Sequence, residues 1–392
     1  VKIAIMKSGP IGGGGVSRVV ESWSRILGEN GHTTVVLSQD GPGGRRLPEM
    51  TGVTSRLYRP EPARGRWGRA REIERAACRT LGDLQSASPV DLVIAHSSRL
   101  TVAVHRHFPH VRLLQTIHSP SVEENRLNNW KYTRVRWRRL TYPATRILLW
   151  RLDREALRSV SCAHTLSEFT WKLISAHYPA VCRRTKWVKI QGTYDHRRFV
   201  EPDDRAAVRT ALGFRPDELV LLTVRRLVPR NGVDRILDCA LGLPGGRATF
   251  LIGGTGPLAA ELQRRIDGEG LGDRVRLLGF IREEDLAAYY QAADAFLLPT
   301  RDLEGFGLPV IEAMGSGCTP LVTPVGGAAE VCHDWPEYTA RENSTPAFVE
   351  LVRQFVAGEI PRRNPALAEA ARRRYSESSV RPAVLRLVDE LA

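Results

Sequence analysis

The chain has 392 residues, enough for two domains with separate cores. Lys and Arg number 57 against 43 Asp and Glu, and the net charge of +14 invites nucleic acid, anionic membrane or an acidic substrate without choosing among them. The six cysteines include no Cys-x-x-Cys pair, which excludes a zinc ribbon or a disulfide framework and leaves them as reduced, mostly buried thiols.

Val1-Lys2-Ile3-Ala4-Ile5-Met6 predicts a first strand. This run is too short for a signal peptide, and no stretch approaches transmembrane length. The cytosol is the expected compartment, with peripheral attachment to the inner membrane face as the addition the charge allows. The glycine cluster Gly12, Gly13, Gly14 and Gly15 then precedes a helix whose Val16, Val19, Val20, Trp23, Ile26 and Leu27 recur at helical spacing. Gly28 and Gly31 are expected to end it, and residues 33–37 form the next strand. A glycine loop at the carboxyl end of the first strand lies where an open α/β sheet accepts ligands. Ser17 stands where the dinucleotide fingerprint needs a third glycine, so a dehydrogenase reading is weak. Strands are also expected at 92–95 and 113–117, the second ending at His118 on the side of the sheet where sites form; a hydrogen-bonded structural histidine is the alternative.

Residues 126–158 carry ten Lys and Arg against Asp153 and Glu155, interleaved with Trp130, Tyr132, Trp137, Tyr142 and Trp150. Such a segment lies on an anionic membrane or grips an acidic acceptor, or it forms an Arg-rich helix pair snorkelling over the first domain's core. The second reading is favoured here: Pro143 is expected to break the segment, and Ile147, Leu148 and Leu149 need a core to pack against. A linker is expected at 194–204, between domains at 1–195 and 200–375. Beyond it, strands predicted at 219–224, 248–252, 275–278, 295–298 and 320–323 alternate with helices, which implies a second doubly wound parallel sheet.

Glu304-Gly305-Phe306-Gly307-Leu308-Pro309-Val310-Ile311-Glu312 sets two carboxylates around a glycine-rich turn that runs into a helix. Gly305 and Gly307 let the backbone approach a ligand, and Pro309 suits a first helical turn, so the helix is expected to begin near Leu308. Its unpaired N–H groups favour a phosphate or diphosphate. Glu304 and Glu312 can then accept hydrogen bonds from hydroxyls on two parts of one ligand, such as a sugar and a ribose. A capped surface helix with incidental acids is the bland alternative.

Here the chain resembles the retaining glycosyltransferases of family 4, which carry a Glu-x7-Glu element of this kind. The likeness continues through Ala313-Met314-Gly315-Ser316-Gly317, Pro320 and Val325-Gly326-Gly327-Ala328-Ala329-Glu330. The resemblance implies the GT-B fold, two Rossmann-like doubly wound domains facing across a cleft, with the last helix at about 376–392 crossing back to the first domain. It implies a sugar contact for Glu304, a ribose contact for Glu312, paired glycines at Gly14 and Gly15 beside the donor phosphates, and His118 near the donor's sugar and the acceptor. The catalytic set is then His118, Arg226 and Glu304. Gly14, Gly15, Arg226, Asn231, Ile281, Glu304, Gly305, Phe306, Gly307, Leu308 and Glu312 are the donor-binding set. Arg226 aligns with the family arginine that neutralises the donor diphosphate, but Asn231 stands where the family has Lys. Asn donates a hydrogen bond and cannot cancel charge. Arg225 or Arg230 supplies the second cation, or the leaving group is handled differently, or activity is low. Gly253-Gly254-Thr255-Gly256-Pro257 resembles the family's second glycine loop, with a strand-to-helix packing turn as an equal alternative, and Ile281 lies in the segment whose backbone reads the nucleobase in relatives.

No Asp-x-Asp occurs and no metal-spaced cluster is present, so no metal is expected. The nucleotide-sugar is a co-substrate, and no further cofactor is expected. The expected function is retaining, metal-independent transfer from a nucleotide-sugar, most commonly UDP-linked in the family, to a hydroxyl of a small-molecule or lipid-linked acceptor, with no nucleic acid partner. Two alternatives stand beside it: a catalytically inactive basic protein of the same fold that binds anionic lipid or nucleic acid, and a sugar-nucleotide epimerase.

Overall fold

The computed structural model describes residues 1–392 apart from 13, 42, 43, 45, 46, 134 and 244–247. Gly13 of the glycine cluster and Arg134 of the basic segment therefore lie outside the described residues. The chain divides into two compact units, one of Val1–Gly192 with Val380–Ala392 and one of Thr193–Ser379.

The first unit is built on β1 (Lys2–Lys7), β2 (Thr33–Gln39), β3 (Val53–Tyr58), β4 (Leu92–Ala95), β5 (Arg112–Ile117), β6 (Cys162–Thr165) and β7 (Trp187–Lys189), in the order β3-β2-β1-β4-β5-β6-β7. All neighbours are parallel. Ile3 to Met6 and Leu92 to Ala95 are fully buried, as a parallel sheet covered by helices on both faces requires. Strand order reverses between β1 and β4, so the loops after these strands diverge and leave a crevice at the carboxyl edge. Sequence periodicity misses three strands. The edge strand β3 exposes its four central residues, β7 has three residues, and β6 reads Cys-Ala-His-Thr, polar although wholly buried.

Two local expectations are corrected. Gly28 does not end the first helix, which runs Gly15–Glu29; a Cβ at Gly28 would lie 2.0 Å from the Thr51 carbonyl oxygen, so this glycine lets the helix pack closely. Pro143 does not break the basic segment, since one helix runs Arg136–Ser159 through it. The carbonyl left without its N–H partner belongs to exposed Arg139, where water serves instead. Of the apolar trio that follows, only Leu149 finds a core.

The second unit is built on β8 (Val220–Val224), β9 (Thr249–Gly253), β10 (Val275–Gly279), β11 (Ala295–Leu298) and β12 (Thr319–Val322), in the order β10-β9-β8-β11-β12. These strands are also all parallel. Ala295 and Phe296 of β11 pair with Leu221 and Leu222 of β8, so the loops after these two strands leave the sheet side by side at its switch point. The final helix, Glu377–Leu391, passes from the second unit into the first at Val380. There Lys186 pairs with Glu390 at 2.8 Å and the Arg112 guanidinium donates to the carbonyls of Leu391 and Ala392.

Candidate functional site

At the β8–β11 switch point Arg225 follows β8, and Thr300 and Glu304 follow β11. The Arg225 guanidinium donates to Glu304 at 2.9 Å and to the Thr300 hydroxyl at 2.7 Å, and Thr300 lies 3.4 Å from the same carboxylate oxygen. Both members of this ion pair are largely buried. Burial lowers the Arg225 pKa, and Glu304 opposes that shift. Arg225 Nε is buried without a partner. Arg225 is therefore committed to Glu304 and is not a spare cation. Arg226 is exposed and Arg230 half-buried, and neither guanidinium has a partner among the described residues. Asn231 is buried and donates to the Arg226 carbonyl at 2.8 Å, so its amide holds the Arg226 turn instead of standing free for a ligand.

Glycines let these loops close on each other. A Cβ at Gly232 would lie 1.9 Å from the Pro299 carbonyl oxygen, and one at Gly254 would lie 2.0 Å from that of Arg225. Leu227 N–H donates to Thr255 at 2.9 Å, so the Gly253–Gly256 loop packs on the Arg225–Leu227 turn. Gly326 plays the same part against the Glu304 carbonyl, which Gly327 N–H also meets at 2.8 Å. Leu303, just before Glu304, holds φ +58, a left-handed conformation costly for a residue with a branched side chain.

The helix after Glu304 runs Leu308–Gly315, with Gly307 at its N-cap at φ +95 and Pro309 in its first turn. Phe306 is buried edge-on against Tyr375 and Leu308 is also buried, so these two offer a ligand their backbone only. Glu312 is 1% exposed and accepts from the Tyr290 hydroxyl at 3.3 Å. Ile281 packs against Gly253, where a Cβ would lie 2.5 Å from its Cδ1. Its neighbour Phe280 is 68% exposed.

In the first unit Gly14 and Gly15 are exposed at the start of the Gly15–Glu29 helix, and a Cβ at Gly14 would meet open space. His118, just past β5, contacts His96, just past β4, through Nε2 and Nδ1 at 3.0 Å. His164 stands behind them, bonded to the Thr116 hydroxyl at 3.2 Å and donating to the Ile190 carbonyl at 2.9 Å. Burial first, then His164 and Lys7, push His118 down to about 3; burial takes His164 to about 4 and His96 well below its usual value. All three are neutral at pH 7, so one imidazole of the His96–His118 pair donates and the other accepts. His96 Nε2 is buried without a partner.

Sequence reasoning passed over His96, Thr300, Tyr290 and Phe280, and weighed Arg225 only as a spare cation. The logic that singles out His118 finds His96 as well, because each is the first residue after a strand at the switch-point edge. Thr300 and Tyr290 leave no such sign. Among the described residues no group of three His, Cys, Asp or Glu is placed to hold a metal.

Two doubly wound parallel sheets, with a carboxylate, cations and a helix start gathered at a switch point, define a protein of the GT-B class. The family model described as Glycosyltransferase Family 4 matches residues 13–190, and that described as Glycosyl transferases group 1 matches 204–374. The chain is 31% identical over 209 residues to a D-inositol 3-phosphate glycosyltransferase of Geodermatophilus obscurus, covering 50% of this chain and 44% of that protein. It is 35% identical over 146 residues to mannosylfructose-phosphate synthase of Agrobacterium fabrum, covering 34% and 32% of the two chains. The matched stretches thus span less than half the length of these curated relatives. Sucrose-phosphate synthase from Thermosynechococcus elongatus superposes over 100% of this chain and 98% of its own with a TM-score of 0.79 at 20% identity. Anabaena HepE, solved with UDP and glucose, does so over 100% of both chains with a TM-score of 0.77 at 17% identity. The chain belongs to the family-4 glycosyltransferases.

Proposed function

We propose that this chain transfers a sugar from a nucleotide-sugar donor to an acceptor hydroxyl, with retention at the anomeric carbon and without a metal. The observation that carries this reading is the buried Arg225–Glu304 pair at the β8–β11 switch point, beside two unpartnered arginines. Donor binding is assigned to the unit of Thr193–Ser379 and acceptor binding to the unit of Val1–Gly192.

Glu304 accepts hydrogen bonds from donor-sugar hydroxyls, its carboxylate aimed by Arg225 and Thr300. Arg226 and Arg230 meet the diphosphate and take the growing charge of the leaving group, with the N–H groups before Val310 adding the helix's positive end. The acceptor oxygen attacks the anomeric carbon on the face from which the diphosphate departs. The carbon–phosphate-oxygen bond breaks, the carbon–acceptor bond forms, and the hydroxyl proton passes to the departing phosphate oxygen. His118, held neutral, binds a sugar hydroxyl without adding charge. Glu312 contacts the ribose in this reading, which requires its carboxylate to become accessible beside Tyr290.

UDP is proposed as the carrier nucleotide. GDP is the rival, because a relative from Mycolicibacterium smegmatis, 32% identical over 197 residues, is named as GDP-mannose-dependent. Several relatives are named for phosphorylated polyols or sugars, and a small phosphorylated acceptor suits a chain of charge +14. The test is nucleotide release from UDP-, GDP-, ADP- and dTDP-sugars with and without EDTA, alongside thermal shift with the bare nucleotides. EDTA-insensitive release from one donor class supports the proposal. A requirement for added divalent cation defeats the metal-free mechanism, and neither release nor shift with any nucleotide defeats the transferase reading.

A further inference from the structure

We infer that the amino-terminal half of the Arg136–Ser159 helix is a docking surface for an anionic lipid bilayer. The carboxyl-terminal half is fixed in the first unit. Leu149, Ala156 and Leu157 are buried, Asp153 accepts from Ser121 N–H at 2.9 Å and from the Tyr178 hydroxyl at 3.1 Å, and Trp150 donates to the His177 carbonyl at 3.3 Å. The first half is different. Residues 136–141 are exposed without exception, so no side of this part of the helix is buried against the described residues.

The side chains presented there are not those of a solvated helix. Leu140 is 81% exposed, Trp137 61%, Ile147 56% and Leu148 48%. At 3.6 residues per turn, Trp137, Leu140, Ala144, Ile147 and Leu148 fall on one stripe, opposite the buried Leu149, Asp153 and Ala156. A helix facing only water has no use for such a stripe, and a contiguous exposed apolar patch marks a binding surface. Arg136 and Arg151 lie at this stripe, and Arg138, Arg139 and Arg146 project from the other side of the helix, none in an ion pair with any described residue. Just before the helix Trp130, also exposed, stacks on Tyr142 with ring centroids 5.4 Å apart and extends the patch.

Charge and apolar character together choose the partner. A second copy of the chain docking through the same face would set its unpaired arginines against their own kind. Nucleic acid would match the charge, but Leu140, Ile147 and Leu148 have no π-face on which a base stacks. An anionic bilayer surface matches both, since phosphate headgroups meet the arginines while Trp, Leu and Ile enter the headgroup–acyl boundary. No helix among the described residues is long and apolar enough to cross a membrane, and this one has the make-up of a helix that lies on the surface.

The test is co-sedimentation of the full chain with phosphatidylcholine vesicles with and without phosphatidylglycerol, over a salt series. The wild type is expected to bind the phosphatidylglycerol vesicles, less so at high salt, and to bind phosphatidylcholine weakly. Arg136→Glu/Arg138→Glu/Arg139→Glu should lower partitioning by roughly a hundredfold or more, each basic residue near an anionic surface strengthening it by roughly fivefold. Trp137→Ser/Leu140→Ser should lower it by roughly tenfold or more, since burial of apolar area sets the rest of the affinity. These residues are all exposed and none is in an ion pair with a described residue, so both variants are expected to keep the wild-type unfolding temperature, which is measured alongside. Three results overturn the proposal: no binding to phosphatidylglycerol vesicles; binding that survives the serine pair unchanged, which reduces it to unspecific charge attraction; or a dimer in light scattering that Leu140→Ser dissolves while vesicles go unbound. Retention of RNA or DNA that the glutamates abolish, with no vesicle binding, would assign the arginines to nucleic acid instead.

Discussion

Glu304 and Arg225 share a buried ion pair, and removing either leaves the other's charge stranded. Glu304→Ala is therefore expected to cost about 2–4 kcal/mol of stability as well as transfer activity, while Glu304→Gln keeps the shape and the Thr300 contact at smaller cost. If Glu304 orients the sugar, the Gln variant loses nucleotide release by roughly a hundredfold or more with nucleotide affinity little changed. Near-wild-type release by Glu304→Gln would remove Glu304 from the chemistry. Asn231 makes a different prediction. Its amide fixes the Arg226 turn, so Asn231→Ala should cost about 1 kcal/mol and raise the KM for donor. Asn231→Asp should be worse than Ala, because it loses the donor and sets an anion near the expected diphosphate. Equal kinetics for wild type and Asp would show that the turn does not need the bond. Leu303 tests the strained step before Glu304. Leu303→Gly should leave stability unchanged or raise it by about 1 kcal/mol, yet lower turnover by loosening the carboxylate; unchanged turnover would separate the strain from function.

At the scale of elements, the β4 and β5 termini bring His96 and His118 together with His164 and Lys7 nearby, and this cluster gives a pH dependence with a definite sign. The folded histidines lie below the ordinary value of 6.5, His118 at about 3 and His164 at about 4. Below pH 6.5 the unfolded chain binds more protons than the folded one. Their contribution is thus complete above about pH 6.5 and is lost progressively as pH falls toward 4. Urea denaturation of the transition that reports on the first unit, followed from pH 7 to pH 5, should show falling stability, and His164→Gln should flatten that fall. A flat profile in the wild type would mean the cluster is already protonated or open to water.

The same scale shows what the sequence makes legible. The buried parallel strands announce themselves as apolar runs, and the turn at Gly307-Leu308-Pro309 carries its own start signal. Strand β6 does not, because its burial is imposed by neighbours and not by apolar pattern, and β7, three half-buried or exposed residues long, is too short to show a period. The Arg136–Ser159 helix misleads for a related reason. Proline is read as a breaker on the assumption that the freed carbonyl needs a protein partner, whereas on an exposed half-helix water suffices. Arg225 was readable as a cation, but its commitment to Glu304 depends on β8 and β11 being neighbours, a fact of topology that residues 75 positions or more apart do not encode locally.

Across the whole molecule the charge of +14 is unevenly employed. In the second unit many arginines are built into the structure, as in Arg205 and Arg209 with Asp294, and Arg301 with Asp234. The arginines of residues 136–151 in the first unit have no such partners. Basic surplus alone therefore says little about partners; arginines without an ion pair to any described residue stand beside the Arg225–Glu304 pair, on the exposed helix and elsewhere on the surface.

The most direct measurement is nucleotide release from UDP- and GDP-sugars by the wild type and by Glu304→Gln, side by side, with nucleotide binding followed by calorimetry in both. The account predicts release from one donor class by the wild type, unaffected by EDTA and suppressed in the variant, with nucleotide affinity retained in both proteins. A wild type that neither binds a nucleotide nor releases one from any donor, or a variant that turns over as fast as the wild type, would contradict it.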